Sequence, residues 1–217
     1  MRGKLAEHPA AAGEPVLFRA PLETLDDESL HALIRLGREQ GLRLHRFKRS
    51  MGLPRVFKVL GILKGLKPAD LLDIGSGRGA FLWPLLDAFP ELPVTTLDRL
   101  DFRAADIAAV QAGGVSSLTS ILGDVTELKL DQDSFDVVTI LEVLEHVPDP
   151  SRALREVCRV ARRFVVLSVP SAPDDNPEHI HLFTASALVA PLQAAGAVRV
   201  TCEHVRGHLI AVAKLDC

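Results

Sequence analysis

A chain of 217 residues, 47% hydrophobic and 24% charged, can bury a full core, which excludes an intrinsically disordered segment. Its net charge of −3 excludes a protein that is basic all over and coats polyanions. No apolar run reaches membrane-spanning length, and Gly13, Glu14 and Pro15 interrupt the first stretch, so the expectation is a cytoplasmic protein without membrane contact. Cys158, Cys202 and Cys217 have no metal-type spacing and read as reduced thiols.

In chain order, residues 1–22 are rich in Ala, Pro and Gly and read as a loose arm. A helix is predicted after Asp26-Asp27, with Leu30, Leu33 and Ile34 at helical spacing and Gly41 ending it. A second begins near Pro54, presents Val56, Leu60 and Leu63 on one face, and stops at Lys67-Pro68. From residue 69 short apolar runs alternate with amphipathic helices. The predicted strands are 71–74, 94–97, 118–122, 135–141, 164–169, 198–204 and 209–213. The predicted helices between them are 80–88, 102–111, 151–161 and 184–195. This alternation implies an α/β fold, a doubly wound, mostly parallel sheet, and the closing hairpin at Arg206-Gly207 makes one terminal strand antiparallel. Ligands in such sheets bind at the carboxyl ends of the strands.

The first strand runs into Asp73-Ile74-Gly75-Ser76-Gly77-Arg78-Gly79-Ala80. Glycines there allow a tight turn and close approach of a ligand to the backbone. The helix that follows offers free N–H groups, and Asp98, at the end of the second strand, can accept both hydroxyls of a ribose. Gly75-x-Gly77-x-x-Ala80 also fits the dinucleotide fingerprint, so these residues alone predict an adenosine-type ligand without choosing between dinucleotide and other nucleosides.

Gly123-Asp124-Val125 and Phe135-Asp136-Val137-Val138 follow, and then Leu141-Glu142-Val143-Leu144-Glu145-His146-Val147-Pro148-Asp149-Pro150. In this order and spacing, over roughly residues 69–214, the segments resemble class I S-adenosylmethionine-dependent methyltransferases. The resemblance implies a seven-stranded sheet of order 3-2-1-4-5-7-6 with an antiparallel last strand. With the arm (1–22) and an N-terminal helical cap (23–68) read from composition and spacing ahead of it, the Rossmann-like methyltransferase domain is expected over residues 69–217. By matching position the resemblance assigns Asp73, Gly75, Ser76 and Gly77 to the amino-acid part of S-adenosylmethionine and Asp98 to the ribose. Asp124 and Val125 fall to the adenine, and Leu141 and Glu142 to the methyl-transfer chamber. The expected reaction is methyl transfer to a small-molecule acceptor, O- or N-, with Glu142 and His146 as the catalytic candidates. RNA methylation, metal-assisted or not, and a non-catalytic binding module are the alternatives.

Glu142, Glu145 and His146 stand at i, i+3 and i+4, which share a face on a helical turn, and His179 or His181 lies on the same sheet edge. That set could hold a divalent metal, and it resembles two metal-dependent branches of the family, the 2′-O-methyltransferases of RNA 3′ ends and the O-methyltransferases of ubiquinone synthesis. Pocket lining without a metal is the favoured reading, because metal-free members carry a similar string.

Between residues 35 and 67 there are ten basic residues and one acid, a net of +9 that leaves −12 for the remainder. A solvated helical face that offsets the acidic remainder is slightly favoured over a face that attracts RNA or a phosphorylated acceptor. The chain has no Tyr, and Phe47, Phe57 and Trp83 make no evident stacking platform.

Overall fold

The computed structural model describes residues 26–39 and 52–216. The proposed arm, Gly41 as a helix end, and the basic residues Arg43, Arg46, Lys48 and Arg49 lie outside the described residues. Helix α1 spans Asp27–Glu39, and the Asp26 carboxylate accepts the Ser29 N–H at 2.8 Å, the capping bond expected of an Asp before a helix. Helix α2 spans Pro54–Leu66 with proline in its first turn, and the left-handed Lys67 ends it.

The sheet follows as β1 (Leu71–Ile74), β2 (Val94–Asp98), β3 (Leu118–Leu122), β4 (Phe135–Leu141), β5 (Ala161–Pro170), β6 (Ala197–Val205) and β7 (His208–Leu215). Its order is β3-β2-β1-β4-β5-β7-β6, with β7 antiparallel to both neighbours and the rest of the pairs parallel. The helices between strands are α3 (Leu82–Ala88), α4 (Asp101–Ala112), α5 (Pro150–Val160) and α6 (Ala185–Ala194).

Side chains alternate across a strand, so each strand feeds two cores. Leu71 and Val137 face a layer with Val56, Val59 and Leu63 of α2, Leu82 and Leu85 of α3, and Ile107 of α4. Leu72 and Val138 face the other layer, with Leu154 and Val157 of α5 and Leu188 and Leu192 of α6. Helix α2 therefore packs into one of the two main layers.

Several element boundaries differ from the sequence expectation, and two differences have a plain local cause. Helix α3 begins at Leu82, because Ala80 and Phe81 are still part of the glycine turn. Helix α5 ends at Val160, because Ala161 already pairs with Phe135 and β5 starts without a loop. The amino ends of these strands are fastened by Arg163, which donates to both oxygens of the buried Asp136 and holds that carboxyl below the usual carboxylate range.

Candidate functional site

The carboxyl ends of β1, β2, β4 and β5 open on one edge. β1 leads into a turn in which Gly75, Gly77 and Gly79 all have positive φ, 74°, 54° and 80°. A Cβ on Gly75 would enter the Val143 side chain, and one on Gly79 would enter the Trp83 indole, so only glycine fits there. The indole is itself placed by its Nε1–H, donated to the Arg78 carbonyl at 3.0 Å.

Three carboxylates line up behind this turn. Asp73 is 2% exposed and accepts from the Ser76 hydroxyl at 2.7 Å and the Thr139 hydroxyl at 2.8 Å. Burial pushes its carboxyl up to about 6 against the pull of those two bonds. Asp98 ends β2, and its oxygens accept the N–H groups of Gly77 and Leu100, each at 3.0 Å. Those bonds tie the second strand to the glycine turn and leave each oxygen further acceptor capacity. Asp124 accepts from the Thr126 N–H and hydroxyl, both at 2.7 Å, and these hold its carboxyl below the usual range. Val125 beside it is buried in the core.

A cleft of about 170 Å³ lies over the turn. Asp73, Gly75, Ser76 and Gly77 line one wall; Arg55 and Val56 of α2, with Leu141 and Glu142 at the end of β4, line the other. Asp98 and Asp124 lie outside this lining, further along the sheet edge.

Glu142 is a left-handed residue, φ 57°, an uncommon conformation for a side chain with a Cβ. Long-range contacts hold it there. Its N–H donates to the Ser168 carbonyl at 2.9 Å, and its Oε1 accepts from the Ser168 hydroxyl at 2.7 Å. His208 Nε2 stands 3.1 Å from Oε2, and Arg55 Nε 3.9 Å from Oε1. The other imidazole nitrogen of His208 faces the Arg206 carbonyl at 3.1 Å. A carbonyl can only accept, so that nitrogen carries the hydrogen.

The expectation that Glu142, Glu145 and His146 share one helical face is corrected. The backbone reverses at the left-handed Glu142, and only Leu144–His146 forms a short 3₁₀ turn. Glu145, His146 and His179 come together instead, with ligand atoms within 4.8 Å of one another. His181 stands apart from them, its Nε2 3.0 Å from the Val147 carbonyl. Glu145 is wholly buried, and among the described residues neither of its oxygens has a hydrogen-bond partner. Burial, reinforced by the neighbouring Glu142, pushes its carboxyl up to about 8.

Sequence reasoning missed Ser168 and His208 as members of the site. The parallel pairing of β4 with β5 sets Ser168 opposite Leu141, and the antiparallel pairing of β5 with β7 sets His208 opposite Pro170. Arg55 was visible only as one charge in a basic segment.

Residues 72–167 match the family described as a methyltransferase domain. The chain is 33% identical over 85 residues to the ubiquinone biosynthesis O-methyltransferase of Ralstonia nicotianae, covering 39% of this chain and 35% of that protein. It is 30% identical over 128 residues to the sterol 24-C-methyltransferase of Aspergillus fumigatus, covering 55% of this chain and 33% of that one. The chain thus spans about a third of the length of these relatives. Among solved structures, the N-terminal domain of EvdMO1 with SAH bound superposes with a TM-score of 0.66 at 16% identity, over 91% of this chain and all of that one. At that identity the likeness is one of fold alone, a Rossmann-like fold.

Proposed function

We propose that this protein is an S-adenosylmethionine-dependent methyltransferase acting on a small-molecule acceptor. The observation that carries the reading is the donor set of the sheet edge, three carboxylates behind a glycine turn, beside a cleft whose far wall holds Glu142. Such a set suits a ligand with an ammonium group, a ribose diol and an exocyclic amine. It suits a dinucleotide poorly, because an anionic pyrophosphate on this turn would lie over Asp73. The match of residues 72–167 and the names of the relatives point the same way.

In this reading Asp73, Gly75, Ser76 and Gly77 hold the amino-acid end, Asp98 the ribose, and Asp124 and Val125 the adenine. Leu141 and Glu142 face the methyl group. The bound cofactor supplies an electrophilic methyl, and the chain's own task is to align the acceptor, exclude water and take a proton from it. Glu142 and His146 are the candidates for the proton. Glu142 lines the cleft and is oriented by Ser168 and His208. The relatives differ in the atom they name, oxygen in one and carbon in the other, so the acceptor class we propose is a small molecule with an acidic O–H, N–H or C–H.

Of the basic segment, we place Arg55 of α2 beside the acceptor entrance, where it lines the cleft near Glu142. The free thiols Cys158 and Cys202, and the lack of any helix long and apolar enough to cross a membrane among the described residues, fit a cytoplasmic enzyme. The test is transfer of labelled methyl from S-adenosylmethionine to a panel of phenols, alcohols, amines and carbon acids. Labelling of at least one is expected; labelling of RNA alone would overturn the acceptor class.

A further inference from the structure

Arg55 lines the cleft on the wall of Glu142, and its side chain is 19% exposed. Among the described residues its guanidinium has a single ion-pair partner, Glu142 Oε1, with Nε at 3.9 Å. That distance is too long for a hydrogen bond. Glu142 does not depend on the contact, because Oε1 already accepts the Ser168 hydroxyl at 2.7 Å and Oε2 faces His208 Nε2 at 3.1 Å. A guanidinium offers five N–H donors in a fixed plane, and when it is largely withdrawn from water those donors call for an acceptor. Arg55 therefore brings unspent donors and a charge to the cleft.

This inference rests on the methyltransferase reading, in which Glu142 takes a proton from the acceptor. While Glu142 is a carboxylate, its charge offsets that of Arg55 across 3.9 Å. Once it holds the proton it is neutral, and the negative charge has moved to the acceptor in the same cleft. An acceptor that becomes an oxyanion, a phenol or an enol, then restores the balance, and the guanidinium stabilises it. An amine does the opposite, because its nitrogen becomes positive as the methyl arrives, beside a fixed cation. The cofactor's own carboxylate is the rival partner. The wall assigned to the amino-acid end has a cation of its own in Arg78, next to Gly77, whereas Arg55 stands against Glu142.

We infer that Arg55 is a specificity-determining residue, which donates to the acceptor's oxygen and selects acceptors that react as a phenolate or enolate. The acceptor O–H gives its proton to Glu142. The electron pair left on oxygen, or on the carbon conjugated with it, forms the new bond to the methyl carbon, and the pair of the broken S–CH₃ bond stays on sulfur. Glu142 then releases the proton to water.

Glu142→Gln has the charge that Glu142 carries after it has taken the proton, so it isolates the effect of Arg55. Full-length Glu142→Gln saturated with S-adenosylhomocysteine is titrated with 4-nitrophenolate, whose visible absorption follows its ionisation, and with neutral 4-nitroanisole. It should prefer the phenolate about 10-fold or more, and the wild type should prefer it less. The double variant Arg55→Gln, Glu142→Gln should lose the preference, while Arg55→Lys in the same background, which keeps the charge, should retain part of it. Affinity for 4-nitroanisole, and that of Arg55→Gln for S-adenosylhomocysteine, should stay within about twofold. No phenolate preference in Glu142→Gln, or the same preference in the double variant, would overturn the inference. So would a loss of S-adenosylhomocysteine affinity in Arg55→Gln with phenolate binding untouched, which would give the guanidinium to the cofactor. The titrations are repeated without S-adenosylhomocysteine, so that its failure to bind any form of the protein counts against the methyltransferase reading alone.

Discussion

On one side of the cleft, the polar groups that we assign to the cofactor come from one stretch, residues 73–125, and each carboxylate already has protein donors. Asp73 has the Ser76 and Thr139 hydroxyls, Asp98 the Gly77 and Leu100 N–H groups, and Asp124 both donors of Thr126. On the other side, Arg55, Glu142, Ser168 and His208 come from four separate segments, and the buried Glu145 side chain has no partner side chain among the described residues. The first wall is preformed by local geometry. The second is assembled by tertiary pairing and keeps an uncompensated buried group. In the proposed reading, cofactor recognition is built into the strand ends, while chemistry depends on the meeting of distant segments.

The comparison breaks most visibly at Glu142. Replacing it by Gln keeps its shape and removes its basicity, and kcat should fall about 10²- to 10⁴-fold, the usual contribution of a positioned base. S-adenosylhomocysteine affinity, measured in parallel, should be nearly unchanged. An unchanged kcat would move the proton acceptor elsewhere.

Gly75→Ala attacks the preformed wall. It puts a Cβ at φ 74° into the Val143 side chain. Overpacking and left-handed backbone together should cost about 2–4 kcal/mol in denaturant unfolding. A cost below 0.5 kcal/mol would mean that the turn is far more pliant than its geometry implies.

A pH series sharpens the same wall. Burial raises the Asp73 carboxyl to about 6, above the 3.8 of an exposed Asp. Its contribution to stability is therefore full below 3.8 and is lost as pH rises through 6. Binding of a ligand with an ammonium group favours the ionised form, so affinity should rise by up to about tenfold per unit between pH 4 and 6 and level off above. Asp73→Asn should flatten that rise. A flat wild-type profile would detach Asp73 from the ammonium.

The smallest effect is expected where α2 meets the hairpin. Lys58 and Glu203 pair at 2.6 Å with side chains 37% and 59% exposed. Lys58→Ala should cost less than about 1 kcal/mol in unfolding and vanish as a difference in high salt.

The sheet was legible because its signals are local. Alternating runs such as Phe135–Leu141 mark strands, and Arg206-Gly207 marks the hairpin that makes β7 antiparallel. The glycine turn and Asp98 were legible for the same reason. The helical-face reading of Glu142, Glu145 and His146 failed because spacing assumes regular backbone, and Glu142 is left-handed. His208 could not be found at all, since only the pairing of β5 with β7 brings it to Glu142, 66 positions earlier.

The central claim is tested most directly by calorimetric titration of S-adenosylhomocysteine and of NAD⁺ into the wild type and Asp98→Ala. The account predicts one equivalent of S-adenosylhomocysteine bound by the wild type and no heat from NAD⁺. It predicts a loss in Asp98→Ala of about 1.5–3 kcal/mol, roughly 10- to 150-fold, the range for hydrogen bonds to a charged group. Tight NAD⁺ binding with none of S-adenosylhomocysteine, or the same S-adenosylhomocysteine affinity with and without the Asp98 carboxylate, would contradict it.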